Sequence, residues 1–173
     1  MFFGIGNKWK KWEPSADYLI VVDELNTVTK LKTFMSKFVY KWDKIKILFW
    51  EILWDNWQMP DESLLKMEGD CEDAAILSLD ILGRIQKREG ARLVATFGYY
   101  MTNSKSKLTG HVVTAFEDGK GKYNIFTNNK MEYGFQDFIG IGKRFYPLGL
   151  KYQEIRNWQG KVLSRKFKLF GTF

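Results

Sequence analysis

The pentapeptide Gly69-Asp70-Cys71-Glu72-Asp73, with the apolar run behind it, constrains this chain more than any other stretch. That run, Ala74-Ala75-Ile76-Leu77-Ser78-Leu79-Asp80-Ile81-Leu82, is helix-compatible. Asp70 is a good N-cap, and Asp73 three residues on takes the far arm of a capping box, with Asp in place of the usual Glu. Cys71, the only cysteine, therefore falls in the first turn. Unpaired backbone N–H groups and the helix dipole favour negative charge there, which is expected to lower the thiol pKa and favour the nucleophilic thiolate. A buried cysteine beside a helix cap is the alternative reading of the same residues.

The chain also has a single histidine, His111, inside Leu108-Thr109-Gly110-His111-Val112-Val113-Thr114-Ala115-Phe116, a turn followed by a strand. Thiol catalysis of the protease kind needs one thiol and one imidazole, distant in sequence and close in the fold. The chain offers one of each, 40 residues apart.

A length of 173 residues fits one domain with a substantial core. One cysteine excludes an internal disulfide framework and fits a reducing compartment. The net charge of +7 allows an anionic partner but names none. The first twelve residues lack the charged segment followed by an apolar one that a secretory signal needs, so a cytoplasmic protein is expected. No stretch approaches about 18 apolar residues, so no membrane span is expected. Neither the His/Cys spacing of a zinc site nor an alternating Asp/Asn calcium loop is present, and Gly140-Ile141-Gly142-Lys143 is a weak match to a phosphate loop; no metal and no cofactor are expected.

Taken in order, residues 1–16 read as an irregular lead-in, with Trp9 and Trp12 packing onto the domain. Tyr18 to Val22 is a short strand or the start of a helix. Asn26 caps a helix over about 27–40, with Val28, Leu31, Phe34, Met35, Phe38 and Val39 near a 3.6 period. Lys44 to Trp54 reads as a second helix, broken before Pro60. A short helix over 61–67 leads into Gly69, and the central helix spans about 71–88. Strands are expected at 92–100, 110–117 and 122–127, then a short helix at 134–138, a glycine-punctuated loop, and strands at 151–155 and 161–170. Helices first and an antiparallel sheet after them give the α+β pattern.

Asp118-Gly119-Lys120-Gly121 is a strong hairpin signal. A two-residue loop pairs Asp118 with Gly121 and sets His111 opposite Asn128, on the same face of the ladder. Asn128 is then placed to orient the imidazole; a loop one residue different substitutes Asn129 or Thr127.

Four segments together resemble the transglutaminase-like cysteine peptidase superfamily, above all its small bacterial and viral members. These are Trp57-Gln58-Met59-Pro60-Asp61-Glu62-Ser63, Gly69-Asp70-Cys71-Glu72-Asp73-Ala74-Ala75-Ile76-Leu77, Ala91-Arg92-Leu93-Val94 and Gly110-His111-Val112-Val113. The likeness covers about residues 27–130, leaving 131–173 as a C-terminal extension of a single domain over 1–173. It implies a papain-like α+β core, with the nucleophile helix packed on an antiparallel sheet, and a triad of Cys71, His111 and a third residue. The family usually has Asp at the end of the following strand. Here that segment reads Ile125-Phe126-Thr127-Asn128-Asn129, and Asn128 takes the role as Asn does in papain-like enzymes. Trp57 and Gln58 are candidates to stabilise an oxyanion beside the Cys71 N–H, Trp57 being equally suited to core packing.

The expectation is a thiol enzyme that cleaves or transfers an amide (peptide, isopeptide or Gln side chain) of a protein or peptide through a Cys71 thioacyl intermediate, with water the preferred acceptor over an amine. The alternative is a catalytically silent scaffold that binds a protein, polymer or nucleic acid, since some members of the superfamily are inactive. If the source is viral, the compartment is the virion or the host cytoplasm.

Overall fold

The computed structural model describes residues 12–42, 44–47, 50–53, 57–85, 90–102 and 105–168. Ser15 Oγ accepts the Tyr18 N–H and starts α1 (Ala16–Glu24), so Tyr18 to Val22 is helical. Thr27, rather than Asn26, caps α2 (Val28–Met35) by accepting the Lys30 N–H. The expected helix to residue 40 stops at Met35. Val39–Tyr40 is a short strand, β1, because its backbone pairs in parallel with β4 (Glu68–Gly69).

The helix expected at 44–54 is an antiparallel hairpin, β2 (Lys44–Ile47) and β3 (Trp50–Leu53). Trp54 lies outside the described residues, as does Trp9. The apolar spacing there fits one helical face, but Ile45, Ile47, Ile52 and the aromatics also suit a pleated surface. Pro60 opens α3 (Pro60–Lys66), the Glu62 carboxylate accepts the Met59 N–H, and Met67 closes the helix at φ 49°. Next comes α4 (Cys71–Ile85), whose expected continuation to 88 falls outside the described residues.

The rest is mostly sheet: β5 (Arg92–Thr102), β6 (Lys105–Glu117), β7 (Tyr123–Thr127), β8 (Lys130–Phe135), α5 (Phe138–Phe145), β9 (Gly149–Asn157) and β10 (Val162–Phe167). The helix expected at 134–138 is instead the end of β8, and α5 occupies the stretch read as a loop. Asp137 makes the difference, since its carboxylate caps α5 at the Gly140 N–H. Six antiparallel strands run in the order β10-β9-β5-β6-β7-β8, so residues from Lys130 on supply three of them.

Alternation along the strands sends side chains to two faces. Leu93, Ala95, Val112, Phe116 and Phe126 join the cluster with α1, α2 and α4, while Val94, Val113, Ala115, Ile125 and Ile141 form a second cluster under α5. The outer side of α4 is covered as well, so Ser78, Asp80 and Asp73 are buried along with its apolar residues. Each polar group has a partner. Ser78 Oγ donates to Thr114 Oγ1 of β6 (2.9 Å), and Asp80 Oδ2 accepts from Tyr18 Oη (2.7 Å) and Arg84 Nε (2.6 Å). Trp12 packs edge-on to Tyr18, as expected of the lead-in. No helix among the described residues is long and apolar enough to cross a membrane.

The first turn of α4 is fixed by Asp73. Its fully buried carboxylate accepts the Gln58 N–H (2.7 Å) through one oxygen and the Asp70 N–H (3.2 Å) through the other. Gly69 is required beside it, because a Cβ there would stand 2.7 Å from Asp73 Cβ. Asp73→Ala strands two buried donors and is expected to lower unfolding free energy by about 3 kcal/mol, read from urea unfolding. A loss below about 1 kcal/mol would show that the turn is held by something else.

Candidate active site

Cys71 stands at the start of α4, half-buried, with its thiol turned to β6 at Val112. Sγ is 3.3 Å from Glu72 Oε2, to which the thiol donates, and it accepts the Val112 backbone N–H. The thiol pKa is pushed well up, first by burial, then by the Glu72 and Asp70 charges; the Val112 N–H pulls the other way. This corrects the expectation of a thiol acidified by the helix. A dipole interaction is worth about 0.3–1 kcal/mol, and burial between two carboxylates outweighs it.

His111 lies one residue from Val112, so strand β6 carries both the imidazole and the donor to the thiol. Its ring shares a face with Val113 and Ala115, the face covered by α5, and meets Phe145 edge-on at 4.4 Å between centroids. Nε2 is 2.8 Å from Thr127 Oγ1. Burial lowers the imidazole pKa to about 4. At neutral pH both thiol and imidazole are therefore uncharged, and neither is hydrogen-bonded to the other. The thiol packs with the α4 cluster and the ring lies with the residues under α5, on the other face of the sheet. β7 ends at Thr127, so beyond Thr114↔Phe126 no described strand pairs with β6 on that side.

Thr127, not Asn128, takes the place beside the imidazole. Asp118 N bonds Lys122 O (2.9 Å), so the hairpin loop is Gly119-Lys120-Gly121, one residue longer than the two-residue turn. The register shifts accordingly, and Thr127 reaches His111 diagonally across the ladder. Asn128 turns out of the strand at φ 51°, and its Oδ1 is buried without a partner; Asn129 is exposed.

Trp57 is 7% exposed and belongs to the main core cluster. Gln58 is closer to the nucleophile's turn, since its N–H binds Asp73. Its Nε2 makes a long bond to the Glu68 carbonyl (3.4 Å), and its Oε1 is buried with no partner. Asp70, Cys71 and Glu72 place ligating atoms within 4.8 Å of one another, the described residues that best fit a cation. Two carboxylates suit a hard divalent ion, and its charge would favour the thiolate. Spacing rules built on His and Cys do not detect such a cluster of consecutive residues.

No protein-family model matches the chain, and none of the curated proteins does. Among solved structures it is similar to Legionella pneumophila LapG in calcium-bound form, at 18% identity over 85% of this chain and 80% of that one, with a TM-score of 0.46. LapG of the same organism after EGTA treatment gives 17% identity, 86% and 78% coverage, and a TM-score of 0.45.

Because His111 is held neutral, the unfolded chain binds a proton between about pH 6.5 and 4 that the folded chain does not. Its contribution to stability is full above about pH 6.5 and falls as pH drops toward 4. Urea unfolding of wild type and His111→Gln across that window is expected to show a shallower slope in the variant. Equal slopes would place the imidazole in a solvated, freely titrating site.

Proposed function

We propose that the chain is a thiol hydrolase of the transglutaminase-like class that cleaves amide bonds of a protein or peptide. The observation that carries this reading is the seating of Cys71 Sγ on the N–H of Val112, the residue after His111 on β6, with His111 Nε2 held by Thr127. Donation of Nε2–H to Thr127 Oγ1 leaves Nδ1 as the basic nitrogen. Nδ1 is the ring nitrogen nearer the His111 main chain, and Sγ is held by the N–H of the following residue, Val112.

In the proposed reaction Nδ1 takes the thiol proton as Sγ attacks the carbonyl carbon. The tetrahedral species collapses when the C–N bond breaks, and the imidazolium returns the proton to the leaving amine. Water then attacks the thioester, releases the acid and restores the thiol. Starting from a neutral pair means that the proton moves during the attack, in general-base fashion, rather than before it. The Thr127 hydroxyl orients the ring without the charge that an Asp would give the imidazolium.

A catalytically silent binding module is the second reading. It is favoured by the thiol's bond to Glu72 and by the ring's position on the α5 face.

A peptide library from a whole-proteome digest separates the two readings. Wild-type protein is expected to create new amino termini, and Cys71→Ala none. Equal cleavage by Cys71→Ala, or no cleavage by wild type, would overturn the hydrolase assignment.

A further inference from the structure

The thiol chemistry above needs a donor for the oxygen of the attacked carbonyl, and the segment upstream of Cys71 is poorly placed to supply it. Trp57 is packed in the core and Gln58 Nε2 is engaged with Glu68. Asp70 and Glu72 flank the nucleophile, so an oxyanion formed there meets two negative neighbours. Donors at that point matter more than in a neutral site.

Strand β1 brings another residue to the same place. Tyr40 pairs in parallel register with Gly69, two residues before Cys71, and Lys41 N bonds the Gly69 carbonyl (2.7 Å). In a parallel pair, register partners direct their side chains to the same face. A Cβ on Gly69 would point at Asp73, in the first turn of α4. The Tyr40 side chain therefore projects over that turn. Trp42 packs edge-on against its ring, 5.4 Å between centroids, and steadies it, while 37% of Tyr40 stays exposed to an incoming substrate. Burial, and then a Cys71 thiolate where one forms and the Asp70 and Glu72 charges, push the phenol pKa up, so the hydroxyl keeps its proton and remains a donor throughout the physiological range.

We propose that Tyr40 is a catalytic residue of this site, its hydroxyl donating the side-chain hydrogen bond that stabilises the oxyanion. The assignment rests on the thiol-hydrolase reading. As the Sγ–C bond forms, the carbonyl π pair moves to oxygen, which accepts the Tyr40 O–H and a main-chain N–H of the first turn of α4. The pair returns when the C–N bond breaks and the amine leaves with the proton held by His111. Tyr40 keeps its own proton and completes no transfer.

An aldehyde and an alkylating agent separate this role from general thiol reactivity. N-acetyl-glycinal adds to a thiol to give a hemithioacetal whose oxygen sits where the oxyanion does; iodoacetamide reacts by displacement and forms no oxyanion. The experiment measures the dissociation constant of N-acetyl-glycinal, as protection of Cys71 from iodoacetamide, in wild type, Tyr40→Phe and Gln58→Ala, with the uninhibited alkylation rate beside it. Tyr40→Phe keeps the ring and its packing on Trp42. It is expected to weaken aldehyde binding by about tenfold or more relative to alkylation. Unchanged aldehyde binding in Tyr40→Phe, or a loss confined to Gln58→Ala, would overturn the Tyr40 assignment and leave the thiol reading standing. Wild type that alkylates but is not protected by the aldehyde would also overturn it. Wild type that does neither overturns both.

Discussion

The buried carboxylate of Asp73 is the interaction on which the site depends. It joins the Gln58 and Asp70 N–H groups and so fixes three things at once: the entry of the chain into α3, the turn after β4 and the first turn of α4. A buried charge is tolerated only where hydrogen bonds replace its hydration. That condition turns Asp73 into an anchor, since moving either segment would leave the carboxylate unsatisfied. The α4 helix is itself clamped to β6 through Ser78 and Thr114. The thiol is thus held against one particular part of one particular strand, and that part is followed backward by the histidine.

The electrostatics of the arrangement point to a resting state in which nothing is ionised that catalysis would need ionised. The thiol is kept protonated by burial and by Glu72 and Asp70, and the imidazole is kept neutral by burial alone. Anything that reduces the negative potential around Asp70 and Glu72 moves the thiol toward the thiolate, whether substrate groups or a bound cation.

The helix start that carries Cys71 is legible because its signals are local. A capping Asp, a second Asp three residues on and an apolar run specify a helix start to the residue, and Cys71 falls out of that pattern. His111 is a candidate because it is the only imidazole. The other parts depend on pairing between segments. The Gly119-Lys120-Gly121 loop adds one residue to the turn, and one residue is enough to replace Asn128 by Thr127. Residues 44–54 fit a helical face and a hairpin alike, and Asp137 redirected the end of β8 through a cap. Tyr40 lay in a stretch read as the end of a helix. It gains its position only by pairing with Gly69, which no period in the sequence announces.

The central claim is that His111 serves Cys71 as a base. The rate of iodoacetamide alkylation at Cys71, followed from pH 5 to 10 in wild type and in His111→Ala, tests it most directly. The account predicts that the variant loses reactivity near neutral pH by about tenfold or more, toward the lower end of what general-base assistance supplies, and that the two rates converge where hydroxide ionises the thiol unaided. Superimposable profiles would contradict it, and would mark the cysteine as one held to the strand of the histidine without coupling to it.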